Sequence, residues 1–420
     1  MLEKVCIITK LCYNSINMSK VITDSKKIEE LLTRGVEEVI KLDDLERQLK
    51  SGKQLRVKFG IDPTGSDLHL GHLVVLKKLK QFQELGHRVI FLIGDSTAMI
   101  GDPSGRSEAR KMLKKEEIKK NEKDYIKQAG KVLDIKKVEV RHNSEWLANK
   151  GYIFMAELAS KFTVARMIER DDFQKRLKDD IDVSMLEVFY PLFQGYDSVE
   201  LKADVELGGT DQKFNLLTGR KVQKRYGQPE QNIITVPLLE GLDGMRKMSK
   251  SYGNYIAFND SPQEMFGKIM SLPDALLWKY YKLLTDIPLA EIERMHEQVR
   301  TSQVNPKDLK TNLAKEIIKI FYPEKEAQKA EDAFNRQFRD KEMPDDIEES
   351  KLEAGSWKLD ELLVKLKLVD SKSEARRMID QGGVKIDGKR VGADLKSAQQ
   401  IGIKSGMVIQ VGKRKFVKIK

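Results

Sequence analysis

The chain has 420 residues, 40% of them hydrophobic, and 76 Lys and Arg against 65 Asp and Glu leave a formal net charge of +11. This length predicts two to four domains with an ordinary core. No apolar run reaches the roughly 18 residues of a membrane span. The basic balance favours nucleic-acid binding, with a solvated lysine-rich surface as the alternative.

The N-terminal stretch, residues 1–17, is unlike a targeting peptide because it is not arginine-rich and lacks a small-residue cleavage site. Met18 is a second plausible start, so we expect residues 1–17 to be a disordered or spurious extension. Both cysteines of the chain, Cys6 and Cys12, fall in this stretch. Two cysteines exclude a disulfide framework and are typical of a protein of the reducing cytoplasm.

Residues 25–51 carry apolar residues at helical spacing and predict a helical lead-in to the first strand. The stretch 55–72 then reads LRVKFGIDPTGSDLHLGH, which predicts a strand, a tight turn and the start of a helix that ends at Gly86. The unpaired N–H groups of a helix start bind anions. His69 and His72 add donors that can meet a phosphate, and two of the chain's five histidines at one joint favour such a site over an incidental βα unit.

Further strands are predicted at 89–93, 138–140, 205–207 and 233–239, where apolar residues form short runs. Strand–helix–strand alternation with apolar strands is typical of a parallel sheet covered on both faces. Such sheets bind ligands at the carboxyl ends of their strands. We therefore predict an α/β fold with its site at that edge.

Two loops that follow predicted strands carry candidate ligand-binding residues. The loop 102–106 sets Asp102 beside flexible backbone, with Arg106 and Arg110 close by, and it suits an ammonium group and a phosphate held together. The loop 208–212 begins with two glycines, which let backbone approach a ligand closely. Its carboxylate suits a ribose hydroxyl, although the signal is weak by itself.

Residues 152–190 predict a helical insertion of mixed charge. If the chain stays helical beyond Pro191, then Tyr190, Gln194 and Asp197 share one face. Polar side chains amid apolar ones there suggest a pocket wall. A buried hydrogen-bonded cluster is the alternative.

The loop 241–251 has two lysines three residues apart, Lys247 and Lys250, which can bracket a polyphosphate; a basic surface loop is the alternative. Residues 261–340 are predicted to be all helix, and the polar, acidic residues 341–355 to be a linker. Residues 356–420 predict a small domain of two helices and two hairpins. Its basic residues suit RNA phosphates: Arg376, Arg377, Lys385, Lys389 and Arg390.

Two motifs, HLGH at 69–72 and KMSKS at 247–251, together resemble the signatures of class I aminoacyl-tRNA synthetases. The segments 94–105, 190–197 and 208–212 resemble the tyrosyl-tRNA synthetases. The last domain is similar to the alpha-L RNA-binding domain that ends the bacterial members. The resemblance covers roughly Met18 to the C-terminus.

This resemblance implies a Rossmann-like, doubly wound parallel sheet over residues 18–245, with a helical insertion at about 150–195. It implies a helical anticodon-binding region over 246–340, which includes the KMSKS junction, and the RNA-binding domain over 356–420. The implied reaction activates L-tyrosine with ATP, accompanied by Mg²⁺, and transfers it to tRNA(Tyr). The implied protein is a cytoplasmic homodimer joined through the insertion, with no resident metal.

The resemblance also assigns roles to residues of this chain. Asp197 would accept the hydrogen bond of the substrate phenol, and Asp102, Tyr190 and Gln194 would hold its ammonium group. The tyrosine site as a whole would comprise Lys58, Asp62, Thr97, Asp102, Asn143, Tyr190, Gln194, Asp197 and Gln212. The catalytic set would comprise Thr64, His69, His72, Arg106, Lys247 and Lys250. ATP would be bound by Gly60, Gly71, Gly209, Asp211, Met248, Ser249 and Ser251.

One position departs from the family pattern. Many members carry a tyrosine two residues before the glycine of the first loop, as a second partner of the phenol, and here that position is Lys58. Either Lys58 contacts the phenol, or it points away and Asp197 works with another partner.

Three other functions compete with tyrosine activation. Tryptophan activation would need an apolar indole pocket, and Asp197 argues against it. A small-molecule nucleotidylyltransferase would not need the helical region and RNA-binding tail. A catalytically inactive RNA-binding protein would not need intact phosphate-binding motifs.

Overall fold

The computed structural model describes residues 21–104, 114–338, 347–350, 352, 355–391, 400–412 and 415–420. Residues 1–17, Arg106 and Arg110 lie outside the described residues. The chain divides into two compact units between Glu331 and Asp332. No helix among the described residues is long and apolar enough to cross a membrane.

The first unit is built on one six-stranded sheet. Its strands are β1 (Glu38–Ile40), β2 (Arg56–Ile61), β3 (Arg88–Ile93), β4 (Glu139–His142), β5 (Val205–Gly209) and β6 (Asn232–Val236). They lie in the order β1-β6-β5-β2-β3-β4, and every pair is parallel except β1 with β6. From β2 the chain runs outward through β3 and β4 and then returns to β5 on the other side of β2. The order therefore reverses between β2 and β5, which is where such sheets bind ligands.

Sixteen helices are described before the second sheet begins. They are α1 (Ser25–Thr33), α2 (Leu42–Lys50), α3 (Leu70–Glu84), α4 (Thr97–Ile100), α5 (Lys115–Ala129), α6 (Ser144–Leu147), α7 (Tyr152–Ser160), α8 (Val164–Met167), α9 (Asp171–Lys178), α10 (Met185–Glu200), α11 (Lys213–Arg225), α12 (Pro262–Met270), α13 (Leu277–Leu284), α14 (Leu289–Arg300), α15 (Pro306–Phe321) and α16 (Glu324–Phe338). Single 3₁₀ turns occupy Ile135–Lys137, Thr210–Gln212, Lys250–Tyr252 and Asp274–Leu276.

The long helix α10 sets one wall of the site. It continues through Pro191, so the three polar residues predicted to share a face do so. The helix packs closely on α11, because a Cβ at Gly195 would overlap Val222 and lie 3.2 Å from the Gly219 Cα. A glycine is therefore needed at position 195 for this approach.

Two predicted stretches differ from the structure. The lead-in over 25–51 is not helical throughout, since Glu38–Ile40 form an edge strand antiparallel to β6. Three residues are too few to show a periodicity, and pairing with β6 decides their conformation. The stretch predicted as a linker, 341–355, contributes β7 (Glu348–Ser350), which pairs in parallel with the last strand of the chain.

The second unit has its own core. It contains α17 (Leu359–Lys365), α18 (Lys372–Asp380), β8 (Ser356–Lys358), β9 (Val384–Ile386), β10 (Lys389–Arg390), β11 (Gln400–Gly402), β12 (Val408–Val411) and β13 (Lys415–Ile419). Both predicted hairpins form, β9 with β10 and β12 with β13, and they join one sheet in the order β10-β9-β12-β13-β7. A separate β8–β11 pair, which the sequence pattern did not predict, belongs to the same unit.

Candidate active site

A cavity of about 910 Å³ opens at the carboxyl edge of the sheet, at the point where the strand order reverses. Its walls contain most of the residues predicted for the site. Those are Lys58, Gly60, Asp62, Thr64, His69, Gly71, His72, Thr97, Asp102, Tyr190, Gln194, Asp197, Gly209, Asp211, Gln212, Lys247, Met248, Ser249 and Ser251. Asn143 and Lys250 contact residues near this cavity without lining it.

Both histidines of HLGH cap α3. The Nδ1 atom of His69 accepts from the Gly71 backbone N–H at 3.2 Å, and that of His72 accepts from the His69 backbone N–H at 3.1 Å. Because each Nδ1 accepts, each neutral ring carries its proton on Nε2. The site therefore has two uncharged Nε2–H donors beside a helix start.

Burial lowers the pKa of His72 to about 3, and the nearby Lys250 adds to this lowering. Burial also holds the pKa of His69 well below its usual value, with His72, Lys250 and Lys247 adding to the effect. Both rings are thus neutral at physiological pH. A neutral N–H donor can hydrogen-bond a phosphate oxygen without adding a positive charge that would repel the nearby lysines.

This neutrality predicts an acid sensitivity that His72→Asn should reduce. The unfolded chain binds a proton at His72 below about pH 6.5 and the folded chain only near pH 3, so folding stability falls as the pH drops through that window. Between pH 6.5 and 5 the loss from one such group is about 2 kcal/mol. Urea titrations at pH 7 and 5 should show the wild type losing about that much more than His72→Asn. The exposed His296→Asn is the control, and an equal loss in all three proteins would contradict the assignment.

The KMSKS loop is held in place by Asn254. The Nδ2 atom of Asn254 donates to Asp243 Oδ2 at 3.0 Å and to the Lys247 carbonyl at 3.2 Å, and its Oδ1 accepts from the Ser249 N–H at 2.9 Å. The side chain of Lys247 then reaches back to the β5 loop, with its Nζ 2.7 Å from Asp211 Oδ2. One cation of the motif therefore lies on the carboxylate predicted to meet a ribose.

The two motifs are joined through the backbone although about 175 residues separate them. The Leu70 N–H donates to the Ile256 carbonyl at 3.0 Å, and the Phe258 N–H donates to the Leu68 carbonyl at 2.9 Å. A Cβ at Gly71 would lie only 3.8 Å from the Cβ of Met248. The start of α3 and the lysine loop are thus packed against each other at one end of the cavity.

Lys250 lies at the rim of the cavity. Its Nζ is 3.2 Å from the Tyr125 hydroxyl and 5.3 Å from the centroid of that ring. A Cβ at Gly65, one residue from the cavity residue Thr64, would lie 2.7 Å from the same Nζ. The second lysine of the motif therefore stands over the turn between β2 and α3.

A chain of hydrogen bonds crosses the other end of the cavity. Asp62 Oδ2 accepts from the Tyr190 hydroxyl at 3.0 Å, and Asp62 Oδ1 accepts from Thr97 Oγ1 at 2.8 Å. The Asn143 amide donates to Thr97 Oγ1 at 3.0 Å and to Asp197 Oδ2 at 3.3 Å. Burial and the Asp62 carboxylate raise the pKa of Tyr190 well above its usual value, so its hydroxyl stays protonated. The arrangement links two carboxylates through neutral donors.

The other carboxylate of this end, Asp102, is also positioned by polar neighbours. Its Oδ2 accepts from Gln212 Nε2 at 2.6 Å, and its Oδ1 accepts from Ser104 Oγ at 2.7 Å. On the same cavity wall, the buried Oε1 atom of Gln194 has no hydrogen-bond partner among the described residues. A buried acceptor with no partner is costly, and this one suits the ammonium group of a ligand.

The ammonium group of Lys58 is directed away from the cavity. Its Nζ lies 2.8 Å from Glu206 Oε1, 2.9 Å from Ser198 Oγ and 3.0 Å from the Gln194 carbonyl oxygen. An ammonium group has three donors, and all three are used. Of the two alternatives for Lys58, the structure supports the one in which it points away from a ligand.

Sequence reasoning missed several residues around the site. Trp146 donates its indole N–H to Asp197 Oδ1 at 2.9 Å. Arg170, in the insertion, donates to Ser104 Oγ at 3.1 Å and so supports the Asp102 loop. Glu206 could have been found, because it and Lys58 are opposite charges that each have apolar neighbours on both sides in two predicted strands. The apolar wall at Val236–Leu239 carried no comparable signal.

Comparisons with known proteins identify the family and agree with the fold. A family model described as tRNA synthetases class I (W and Y) matches residues 50–339, and a model described as the S4 domain matches residues 357–394. The first match spans more than half of the chain. The chain therefore belongs to the class I tRNA synthetases for tryptophan and tyrosine.

Full-length relatives carry the identification to the tyrosine enzymes. The tyrosine–tRNA ligase of Thermotoga maritima is 51% identical over 390 residues, which is 93% of this chain and 96% of that one. The tyrosine–tRNA ligase of Carboxydothermus hydrogenoformans is 50% identical over 407 residues, 95% and 98% of the two chains. The predicted tyrosine–tRNA ligase function is thereby confirmed, and tryptophan activation has less support.

Solved structures agree in fold. Tyrosyl-tRNA synthetase from Archaeoglobus fulgidus, complexed with L-tyrosine, matches with a TM-score of 0.58 at 26% identity, over 73% of this chain and 99% of that one. A C-terminally truncated mitochondrial tyrosyl-tRNA synthetase from Aspergillus nidulans matches with a TM-score of 0.63 at 22% identity, over 74% and 94%. The predicted α/β class with a helical region and a small RNA-binding domain is confirmed.

Proposed function

We propose that this cavity forms tyrosyl-adenylate from tyrosine and ATP, with the residues predicted from the sequence, apart from Lys58, in the roles given to them. The observation that carries the proposal is that residues of the HLGH and KMSKS motifs and residues of the Asp62–Asp197 hydrogen-bond chain line one cavity. Phosphate-binding donors and amino-acid-binding acceptors thus meet across one space.

In this proposal, tyrosine lies at the carboxylate end. Asp197 accepts the phenol hydrogen bond, while Asn143 and Trp146 fix the direction of its oxygens. The ammonium group meets Asp102 and the unpartnered Oε1 of Gln194. Tyr190, Asp62 and Thr97 orient these acceptors, and Gln212 stands beside the substrate carboxylate.

ATP lies at the other end, where Gly60, Gly71, Gly209, Met248, Ser249 and Ser251 let backbone come close to it. Asp211 and Lys247 form an ion pair in this structure. When Asp211 binds the ribose, this ion pair breaks and Lys247 becomes available to the phosphates. Thr64, His69 and His72 donate to phosphate oxygens from fixed positions. Mg²⁺ would accompany the nucleotide, because this ion is commonly bound through the phosphates of the substrate.

The chemistry follows from position and charge. The tyrosine carboxylate attacks the α-phosphorus and pyrophosphate leaves, so negative charge builds on the leaving group. Fixed Nε2–H donors and lysine cations stabilise that charge more in the transition state than in bound ATP. Holding both reactants in one cavity removes the entropy cost of bringing them together.

Exchange of labelled pyrophosphate into ATP tests the amino-acid specificity. Tyrosine should drive the exchange, and tryptophan or phenylalanine should not. Tyrosyl-tRNA synthetases are themselves the standard example of a site that hydrogen-bonds a substrate hydroxyl, and they are known to reject phenylalanine by about 10⁵-fold. Exchange driven by tryptophan would refute the proposed pocket.

The C-terminal unit and the helical region are proposed to bind tRNA(Tyr). The basic residues of the small domain are not equivalent, however. Arg376 Nε lies 2.9 Å from the buried Asp360, so part of its function is to hold α18 to α17. Arg377, Lys385, Lys389 and Arg390 form no ion pair described for the residues of this unit, and they are the better candidates for RNA phosphates.

Replacing Lys385, Lys389 and Arg390 together by alanine should raise the KM for tRNA and leave tyrosine-dependent exchange unchanged. Each lost phosphate contact should also reduce the salt dependence of tRNA binding, by about 0.7 to 0.9 in the log–log slope. Aminoacylation at several salt concentrations measures both effects. Lys372→Ala, which removes a partner of Glu361 on the same unit, is the control. If the salt dependence of tRNA binding did not change, the RNA-binding surface would lie elsewhere. Independently of that result, deleting residues 345–420 should leave tyrosine-dependent pyrophosphate exchange intact.

A homodimer is proposed from the apolar surface of the insertion. Tyr152 is 83% exposed, Ile153 69%, Val164 66% and Met185 65%, and exposed apolar side chains of this size are typical of a protein–protein interface. Sedimentation of the full chain measures this directly. We also propose a cytoplasmic location, because the chain has only two cysteines.

A further inference from the structure

A buried ion pair lies behind the carboxylate end of the cavity. Lys58 of β2 and Glu206 of β5 are directly opposite in the register of neighbouring strands, and both are at most 1% exposed. Lys58 lies between the apolar Val57 and Phe59, and Glu206 lies between the apolar Val205 and Leu207. Burying two charges costs more than burying apolar side chains of similar size, so the pair is not explained by strand packing.

The pair is embedded in a closed network. Glu206 Oε2 accepts from Ser198 Oγ at 3.1 Å and from the amide of Gln231, while its Oε1 receives Lys58. Ser198 also accepts from Lys58, at 2.9 Å. Because the lysine is saturated by these partners and by the Gln194 carbonyl, it has no donor left for a substrate.

Two partners of Lys58, the Gln194 carbonyl and Ser198 Oγ, belong to α10, and Ser198 is the neighbour of Asp197 in the chain. Asp197 is 2% exposed and lines the cavity together with Lys58. Burial raises the pKa of Asp197 to about 7, and the charge of Lys58 is the largest effect opposing the rise. Hydrogen bonds from Trp146 and Asn143 also oppose it, and Glu206 slightly favours it. Within the described residues, the ionised state of Asp197 thus depends more on Lys58 than on any other charged group.

We propose that Lys58, held by its ion pair with Glu206, is a positioning residue for tyrosine selection. Its cation stabilises the ionised Asp197 carboxylate, which accepts the hydrogen bond of the substrate phenol. Lys58 itself does not touch the substrate. The inference rests on the proposed orientation of tyrosine toward Asp197. It gives a function to the one position that departs from the family pattern. A lysine there acts through the carboxylate instead of adding a second hydrogen bond to the phenol.

A purely structural function makes a different prediction. If the pair only joined β2 to β5, removing Lys58 would leave an uncompensated buried carboxylate and destabilise the fold, and removing both charges would restore everything. If Lys58 acts on Asp197, removing both charges restores the fold but not tyrosine selection. The double variant therefore separates the two functions.

The experiment compares Lys58→Met, Glu206→Gln and the double variant in the full chain. The readouts are thermal unfolding and the pH profile of kcat/KM for tyrosine and for phenylalanine in pyrophosphate exchange, from about pH 6 to 8.5, which brackets the titration of Asp197. At pH 7 a carboxyl with a pKa of about 7 is half ionised, and a rise of about one pKa unit leaves about a tenth of it ionised. Lys58→Met and the double variant should therefore both lose about fivefold in tyrosine-over-phenylalanine selection at pH 7. The inflection of the tyrosine profile should move to higher pH, because kcat/KM reports the free enzyme.

The double variant should unfold closer to the wild-type temperature than Lys58→Met does. Lys78→Met is the matched control, since Lys78 is also a buried lysine but donates to the Leu31 and Arg34 carbonyls away from the cavity. It should change stability without changing selection. Wild-type selection and an unmoved inflection in the double variant would overturn the proposal.

Asp197→Asn distinguishes failure of this inference from failure of the proposed function. It should lose selection and the pH inflection whatever residue occupies position 58. If Asp197→Asn keeps wild-type selection, the phenol does not meet Asp197 and the orientation of tyrosine is wrong. If it loses selection while the double variant keeps it, only the inference about Lys58 fails.

Discussion

Replacing Lys250 by alanine should slow tyrosyl-adenylate formation by about 10²- to 10³-fold, the usual cost of losing one electrostatic group from a preorganised site. Tyrosine affinity should change little. Lys250 stands at the rim over the Gly65 turn, and its charge already acts on both histidines of HLGH. Lys250 contacts Tyr125 and the Gly65 turn, whereas Asp197, which is proposed to accept the phenol, bonds to Asn143 and Trp146. Its loss therefore affects the charge that builds on pyrophosphate and not the binding of the amino acid.

Single-turnover formation of the adenylate measures the rate, and equilibrium dialysis of tyrosine measures the affinity. Lys221→Ala, an exposed lysine on α11, is the control for a general loss of positive charge. Comparable losses of rate and affinity in Lys250→Ala would mean that the lysine supports the pocket as a whole. Tyr125→Phe should have a much smaller effect, because the ring contact with Lys250 remains.

Gly94→Ala should disable the carboxylate end of the cavity. Gly94 follows β3, and a Cβ there would overlap both Asp62 Oδ1 and Thr97 Oγ1, the two atoms that hydrogen-bond each other in the chain of donors. Asp62 also accepts from Tyr190, so the displacement would spread across the site. A misplacement of about 1 Å can cost about 10²-fold in rate. We expect kcat/KM for tyrosine to fall by at least that factor.

The measurement is tyrosine-dependent pyrophosphate exchange together with thermal unfolding. Gly151→Ala is a matched control, because no atom lies within 4 Å of the added Cβ and the backbone φ of −87° suits alanine. It should leave both quantities near wild type. Full activity in Gly94→Ala would show that Asp62 and Thr97 can move apart at no cost to tyrosine binding.

Much of the phosphate end could be predicted from the chain alone. A strand, a tight turn and a helix start follow from local residue types, and the caps formed by His69 and His72 involve neighbours within three residues. The residues of KMSKS were likewise recognisable. What local pattern could not supply is the contact between the two motifs, since the hydrogen bonds joining Leu70 to Ile256 and Phe258 to Leu68 link distant segments.

The residues proposed to bind tyrosine show more clearly what could not be predicted from the sequence. The shared face of Tyr190, Gln194 and Asp197 followed from helical spacing once Pro191 proved compatible with the helix. The partners of that face come from other elements, as Trp146 does. The edge strand β1 was missed for a similar reason, because three residues acquire strand geometry only by pairing with β6.

The fold class, the reaction and the residues of the two motifs could be predicted from the amino-acid sequence, because they depend on local patterns and on residues close together in the chain. The partners of Lys58 became visible only in the folded chain. From the sequence, that lysine could equally face the phenol or turn away from it. The pairing of β2 with β5 places Glu206 opposite Lys58, and Glu206, Ser198 and the Gln194 carbonyl together use all three of its donors, so none is left for a ligand.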